Sequence, residues 1–198
     1  GTFSELGVRP YQHLFYQQLG DLYLAQERYR DSAETYRAYT RLFPDSRVAH
    51  QMQLRVIESY EAGGFDGLIV EEKQHYVDLF GVGQAYWQQS DADTRSAIEV
   101  PLRQFIAELA GYYHALAQAG HPAVVPAGEQ PADLAVQHYL LAGDYYQLYI
   151  DSFPDDARVP AMGYLLAESR MDAGRYRDAI EHCVWVAYSF SDDPRAAD

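Results

Sequence analysis

The chain repeats itself, and the repetition limits what it can fold into more than any other property. Residues 13–46 carry Leu19-Gly20-Asp21-Leu22-Tyr23, then Tyr29-Arg30-Asp31-Ser32-Ala33-Glu34-Thr35-Tyr36, and end on Leu42-Phe43-Pro44-Asp45-Ser46. The ending returns at Phe153-Pro154-Asp155-Asp156, and Ser189-Phe190-Ser191-Asp192-Asp193 repeats it with Ser191 in the proline place. Gly174-Arg175-Tyr176-Arg177-Asp178-Ala179 follows Glu27-Arg28-Tyr29-Arg30-Asp31-Ser32. Tyrosines at i, i+3 and i+4 offsets make one apolar helical face. Gly20 admits a close neighbouring helix, and Ser32 or Ala33 is small where a second helix would cross. Phe43-Pro44 stops a helix, and Asp45-Ser46 supplies an N-cap for the next. This spacing predicts one helix–turn–helix unit used several times.

Pro44, a break near Phe80, Pro154 and Ser191 are separated by 36, 74 and 37 residues, and 74 is twice 37. The step is therefore ~36–37 residues, slightly longer than the ~34 of the plain tetratricopeptide repeat (TPR). Within that frame a helix runs through about Tyr60 to a Gly63-Gly64 C-cap, and a second runs from Phe65 to about Phe80. Residues 84–93 read as an irregular connecting segment. Asp93-Thr94 caps a long helix through about Ala119, where Pro101 either kinks the helix or marks its true first turn. Pro122, Pro126 and Pro131, with Gly120 and Gly128, make 119–132 a loop that interrupts the rhythm. A return helix spans 133–153, and 157–172 starts another pair.

The expected fold is all-α: an α-solenoid of about four TPR-like helix–turn–helix repeats in a right-handed superhelix. Its repeats fall at about 13–44, 46–80, 94–154 with the loop insertion 119–132, and 157–191. Pro194-Arg195-Ala196-Ala197 begins another helix, so residues 1–198 are expected to be a single solenoid cut from a longer array.

The gapless match of 13–46 to the TPR pattern rests on Tyr16, Leu19, Gly20, Tyr23, Tyr29, Ser32, Tyr36, Tyr39 and Pro44. With its Phe-Pro-Asp terminators and longer step, the chain resembles BamD-type outer-membrane lipoproteins and YbgF-type periplasmic TPR proteins of Gram-negative bacteria. The resemblance covers 13–80 and 133–198 and is weaker between 81 and 132. It implies a non-enzymatic protein–protein interaction scaffold in a bacterial envelope assembly, periplasmic and anchored to the outer membrane by an upstream lipid. Cytoplasmic residence is the alternative. Two other functions stay open: an accessory TPR region of a larger multidomain enzyme, and a glycan- or small-ligand-binding TPR protein of polysaccharide export. The last would show as an aromatic pocket near Tyr86-Trp87 and Tyr112-Tyr113.

Charge narrows the partner. Acidic residues number 29 against 15 basic, a formal −14, so no basic stripe is available for nucleic-acid phosphates. No apolar run reaches the ~20 residues of a membrane span. Fourteen of the basic residues are Arg, and Lys73 is the one Lys. A single cysteine, Cys183, rules out an internal disulfide and a Cys-rich zinc site.

Candidate chemical groups read better as structure. Glu72-x-x-His75 has di-iron spacing but lacks the other ligands such a site needs, so it reads as a solvated helix face. His114 reads as a packed histidine. Cys183, beside His182, takes the second-helix place of Tyr36 and Tyr146 and reads as core. Asp91-Ala92-Asp93 and Asp155-Asp156 read as caps. Most of the 18 tyrosines fall at repeat core positions. No catalytic set, metal site or cofactor is expected.

In TPR arrays the first helix of each pair lines a concave groove. Projecting the repeat numbering puts Gln17, Asp21, Leu24, His50, Gln53, Tyr60, Glu61, Phe105, Glu108, Tyr112, Tyr164, Glu168 and Asp172 there. Gln17, Asp21 and Gln53 replace the basic residues of carboxylate-clamp TPRs. The acidic, aromatic character suits a basic or amphipathic helix or peptide as partner.

Overall fold

The computed structural model describes residues 11–119 and 131–190. The 120–130 loop, the Ser191-Asp192-Asp193 terminator and the helix start at Pro194 lie outside those residues. Among the described residues the chain is all-helical: α1 (Gln12–Ala25), α2 (Tyr29–Leu42), α3 (Ala49–Gly63), α4 (Asp66–Phe80), α5 (Ala85–Gln89), α6 (Ala92–Ala119), α7 (Pro131–Ser152), α8 (Val159–Asp172) and α9 (Tyr176–Ser189). They pack as two compact units, one through Leu102 and one from Arg103 onward, with the division inside α6.

In the first unit α1 packs on α2, α2 on α3, α3 on α4 and α4 on α5. The sequence dictates the first contact. A Cβ on Gly20 would lie 2.4 Å from the Tyr36 ring, so only glycine lets α2 approach this closely. Ser32, fully buried, donates its hydroxyl to the Gly20 carbonyl at 2.9 Å and contacts the Ser59 hydroxyl at 3.0 Å. Ala33, Tyr36, Tyr39, Met52, Val56 and Tyr60 form the core, with Tyr16, Phe43, Phe65, Leu68 and Ile69 packed around it.

The second unit repeats the scheme. α7 packs on α8 and α8 on α9 around Ala110, Ala142, Tyr146, Ile150, Val159 and Leu166. Tyr36, Tyr39, Phe43 and Pro44 correspond to Tyr146, Tyr149, Phe153 and Pro154 at a constant offset of 110 (36 to 146). The same positions are buried, half-buried and exposed along 31–40 and 141–150. The register continues through Met52 and Met162, Glu58 and Glu168, and Ser59 and Ser169, to Gly64 and Gly174, both left-handed (φ 68° and 74°).

Four local expectations are corrected. Residues 85–89 form a short helix, because Tyr86 anchors it: its hydroxyl donates to the Ser46 carbonyl at 2.8 Å and its ring packs edge-on against Phe80. Asp45-Ser46 does not N-cap α3, which starts at Ala49 after Val48. The Ser46 hydroxyl bonds that of Tyr39 at 2.6 Å instead. Cys183 is exposed rather than core. α8 packs on α9, and the α9 side bearing Ile180 (58% exposed) is bare where α2 buries Ala33. Glu72 is buried, not solvated. Pro101 lies inside a continuous α6. The carbonyl it deprives of a partner, that of Ala97, belongs to an exposed residue that water can reach.

Candidate functional site

In each unit a buried tyrosine hydroxyl organises a polar cluster, and the two clusters differ in one decisive residue. In the first, α2 carries Tyr36, α1 Asp21 and α3 Arg55. The Tyr36 hydroxyl donates to Asp21 at 2.7 Å, and the Arg55 guanidinium pairs with Asp21, reaches the Tyr36 oxygen at 3.3 Å and holds Glu58 at 2.5 Å. Burial and the Asp21 carboxylate push the Tyr36 phenol up to about 12, against the opposing pull of Arg55. A second pair lies nearby: Arg37 bonds Glu72, which also accepts from Gln53 Nε2 at 2.6 Å, while Arg37 reaches the Tyr60 hydroxyl at 3.1 Å.

In the second unit Tyr146 occupies the place of Tyr36, and its hydroxyl meets His114 Nδ1 of α6 at 3.2 Å. Ser169 Oγ lies 3.4 Å from the same nitrogen and donates to the Leu165 carbonyl at 2.7 Å. His114 is 5% exposed, and its Nε2 has no hydrogen-bond partner among the described residues. Glu168 and Asp172, one helical turn apart on α8, bring a carboxylate oxygen each within 4.8 Å of a His114 ring nitrogen and of one another. Burial and then Glu168 push the Tyr146 phenol up to about 12. Burial and the neighbouring Asp172, which accepts from its hydroxyl, raise Tyr139. Among the described residues no Arg or Lys pairs with Glu168 or Asp172.

The residues projected onto a partner groove are placed as follows. Gln17 is exposed on α1, and Asp21 is half-buried and held by Arg55. Gln53 (0% exposed) and Tyr60 (3%) are core, engaged by Glu72 and Arg37, and present no surface to a partner. His50 and Phe105 are buried as well. Glu61 is exposed and pairs with Lys73 at 3.3 Å. Glu108, bonded by Gln104, lies on the surface of the second unit with Tyr112 and Tyr164. Glu168 and Asp172 converge on His114 instead.

The aromatic places read as ligand contacts are occupied differently. Tyr113 stacks in parallel on Tyr145 with centroids 5.9 Å apart, which is packing, whereas Tyr112 is exposed. Beside Tyr86 lies a hollow of about 190 Å³ lined by Asp45, Arg47, Gln89, Ser90, Asp91 and Thr94. Small-molecule sites run to roughly 300–1,000 Å³.

Reading His114 alone missed its convergence with Glu168 and Asp172, because they lie on two helices, α6 and α8, far apart in sequence. The available signals were the i, i+4 carboxylates of α8 and Leu165, which stands where the repeat has Arg55. No family model matches the chain, and no curated protein matches it significantly.

Proposed function

We propose that this chain is a TPR-like α-solenoid scaffold for protein–protein interaction, non-enzymatic, serving a bacterial envelope assembly in the periplasm. The observation that carries the reading is the 110-residue repetition: helices stacked in sequence order, closed by Phe-Pro-Asp, with the same positions buried at 31–40 and 141–150. Units that bury their faces only against sequence neighbours build extended surfaces suited to holding other chains. The envelope assignment rests on the resemblance to BamD- and YbgF-type proteins.

The partner favoured is a basic or amphipathic segment of another protein. Exposed Glu61 on the first unit and Glu108 on the second each supply negative charge, and on the second unit Tyr112 and Tyr164, 41% and 43% exposed, supply rigid amphipathic contact area. Affinity capture from a Gram-negative envelope extract tests this, with the wild-type protein and a Glu61→Lys/Glu108→Lys/Tyr112→Ala/Tyr164→Ala variant as baits. A retained envelope protein whose capture falls at least about tenfold in the variant and weakens with salt is the expected result. Capture indifferent to the variant, or no envelope protein above a scrambled-helix control, sinks the reading.

A further inference from the structure

We propose that His114, Glu168 and Asp172 bind one divalent transition-metal ion of the zinc class, tying α6 to α8 within the second unit. The ligand atoms already lie within 4.8 Å of one another. Around a tetrahedral zinc with bonds of 2.0–2.1 Å, ligand atoms sit about 3.4 Å apart. Side-chain rotation of two carboxylates on an accessible stretch of α8 closes the difference without moving a helix.

Two independent observations separate this trio from an ordinary acidic patch. The first is His114, 95% buried by its 5% exposure, with a ring nitrogen, Nε2, that no group among the described residues satisfies. A buried imidazole nitrogen without a partner forfeits hydrogen-bond energy, and a metal would recover it. The other nitrogen, Nδ1, faces the Tyr146 hydroxyl, the kind of contact that fixes ring orientation in histidine–metal sites. Tyr139, whose hydroxyl faces Asp172, does the same for that carboxylate.

The second observation comes from the internal repeat. In the first unit a cation is built in: Arg55 lies among the Tyr36 hydroxyl, Asp21 and Glu58. At the offset of 110, Tyr146 replaces Tyr36, Glu168 replaces Glu58, and His114 takes the role of Asp21 against the tyrosine. Leu165 replaces Arg55. The frame keeps two carboxylates, with Asp172 standing in for the lost Asp21, while its cation is gone. An external cation restores the balance. One imidazole and two carboxylates select zinc or its neighbours over magnesium and calcium, which prefer oxygen alone.

The test is calorimetric titration of the chelator-stripped full chain with zinc chloride, alongside magnesium and calcium chloride. Cobalt(II) absorption in the visible range reports coordination directly. One zinc per chain is expected. His114→Gln, Glu168→Gln and Asp172→Asn should each weaken it at least about tenfold and remove the cobalt bands while leaving the circular dichroism unchanged. Glu34→Gln, on the first unit, should bind as the wild type does. Should His114→Gln fail to fold, the two carboxylate variants decide, since Asp172 is exposed and Glu168 half-buried. The proposal is overturned by no stoichiometric uptake, by uptake that survives both carboxylate variants (adventitious zinc on other histidines only), or by equal affinity for magnesium or calcium.

Discussion

Glu72 shows how a single residue can carry more of the fold than its sequence neighbourhood suggests. Its side chain is 8% exposed and its partner Arg37 14%, so both charges have left bulk water and are held by each other, by Gln53 and by Tyr60. Removing one member leaves the other buried and uncompensated, which costs about 3–5 kcal/mol for a fully enclosed pair. Arg37 keeps some access to water, so Glu72→Ala should cost about 3 kcal/mol in urea unfolding. Glu34 bonds the same Arg37 from an exposed position and should cost no more than about 1 kcal/mol as Glu34→Ala. Equal losses from the two variants would show that the pair gains nothing from its burial. The motif reading of Glu72-x-x-His75 missed this because the partner is 35 residues away on α2. His75 itself is exposed, 3.8 Å from Glu72. Helical spacing says which residues share a face; it does not say which other helix covers that face.

At the scale of the element, what the repeat pattern displays is also what neighbouring helices require of each other. Gly20 beneath Tyr36, small Ser32 and Ala33 at the crossing, and the ending at Phe43-Pro44 were legible because each follows from one close contact or one backbone restriction. The short helix α5 was not legible. Five residues cannot display a period, and α5 is held by long-range bonds from Tyr86. The hairpin turns expose another rule. Gly64 and Gly174 take left-handed φ after α3 and α8, and at the corresponding turn after α1 the residue is Glu27, with φ 59°. An L-residue there pays roughly 1–2 kcal/mol of backbone strain. Glycine would return part of that by widening the unfolded ensemble, a loss of about 0.4–1 kcal/mol. Glu27 is exposed, and among the described residues no side-chain hydrogen bond or ion pair holds it to offset the difference. Glu27→Gly should therefore stabilise the protein by about 0.5–1 kcal/mol, a sign opposite to that of most glycine substitutions. A lower midpoint in urea would mean that the turn is not the strained point of this hairpin.

Across the whole molecule the strongest fact is the imbalance of 29 acidic against 15 basic residues. Many of the arginines are committed locally, to Asp31, Glu34, Glu58, Asp91, Asp144 and Asp156 among others. Most of the net −14 is thus spread over surfaces without nearby cations, where like charges repel more in the compact chain than in the expanded one. Salt acts on the two kinds of interaction unequally. At 0.1 M the Debye length is about 10 Å, so repulsion between distant surface carboxylates is screened. The Arg37–Glu72 pair is shielded from ions by burial and keeps its attraction. Exposed pairs such as Arg47–Asp91 lose some, but each contributes little at the outset. The balance favours stabilisation: raising sodium chloride from 20 to 500 mM at pH 7 should increase the melting temperature by a few degrees. The gain should level off once the Debye length drops below the usual spacing of surface charges. A melting temperature that falls with salt would mean that paired arginines, rather than unpaired carboxylates, set the electrostatics of this fold. It would equally weaken the case for a basic partner, since the surface potential that attracts such a partner is the one that salt removes.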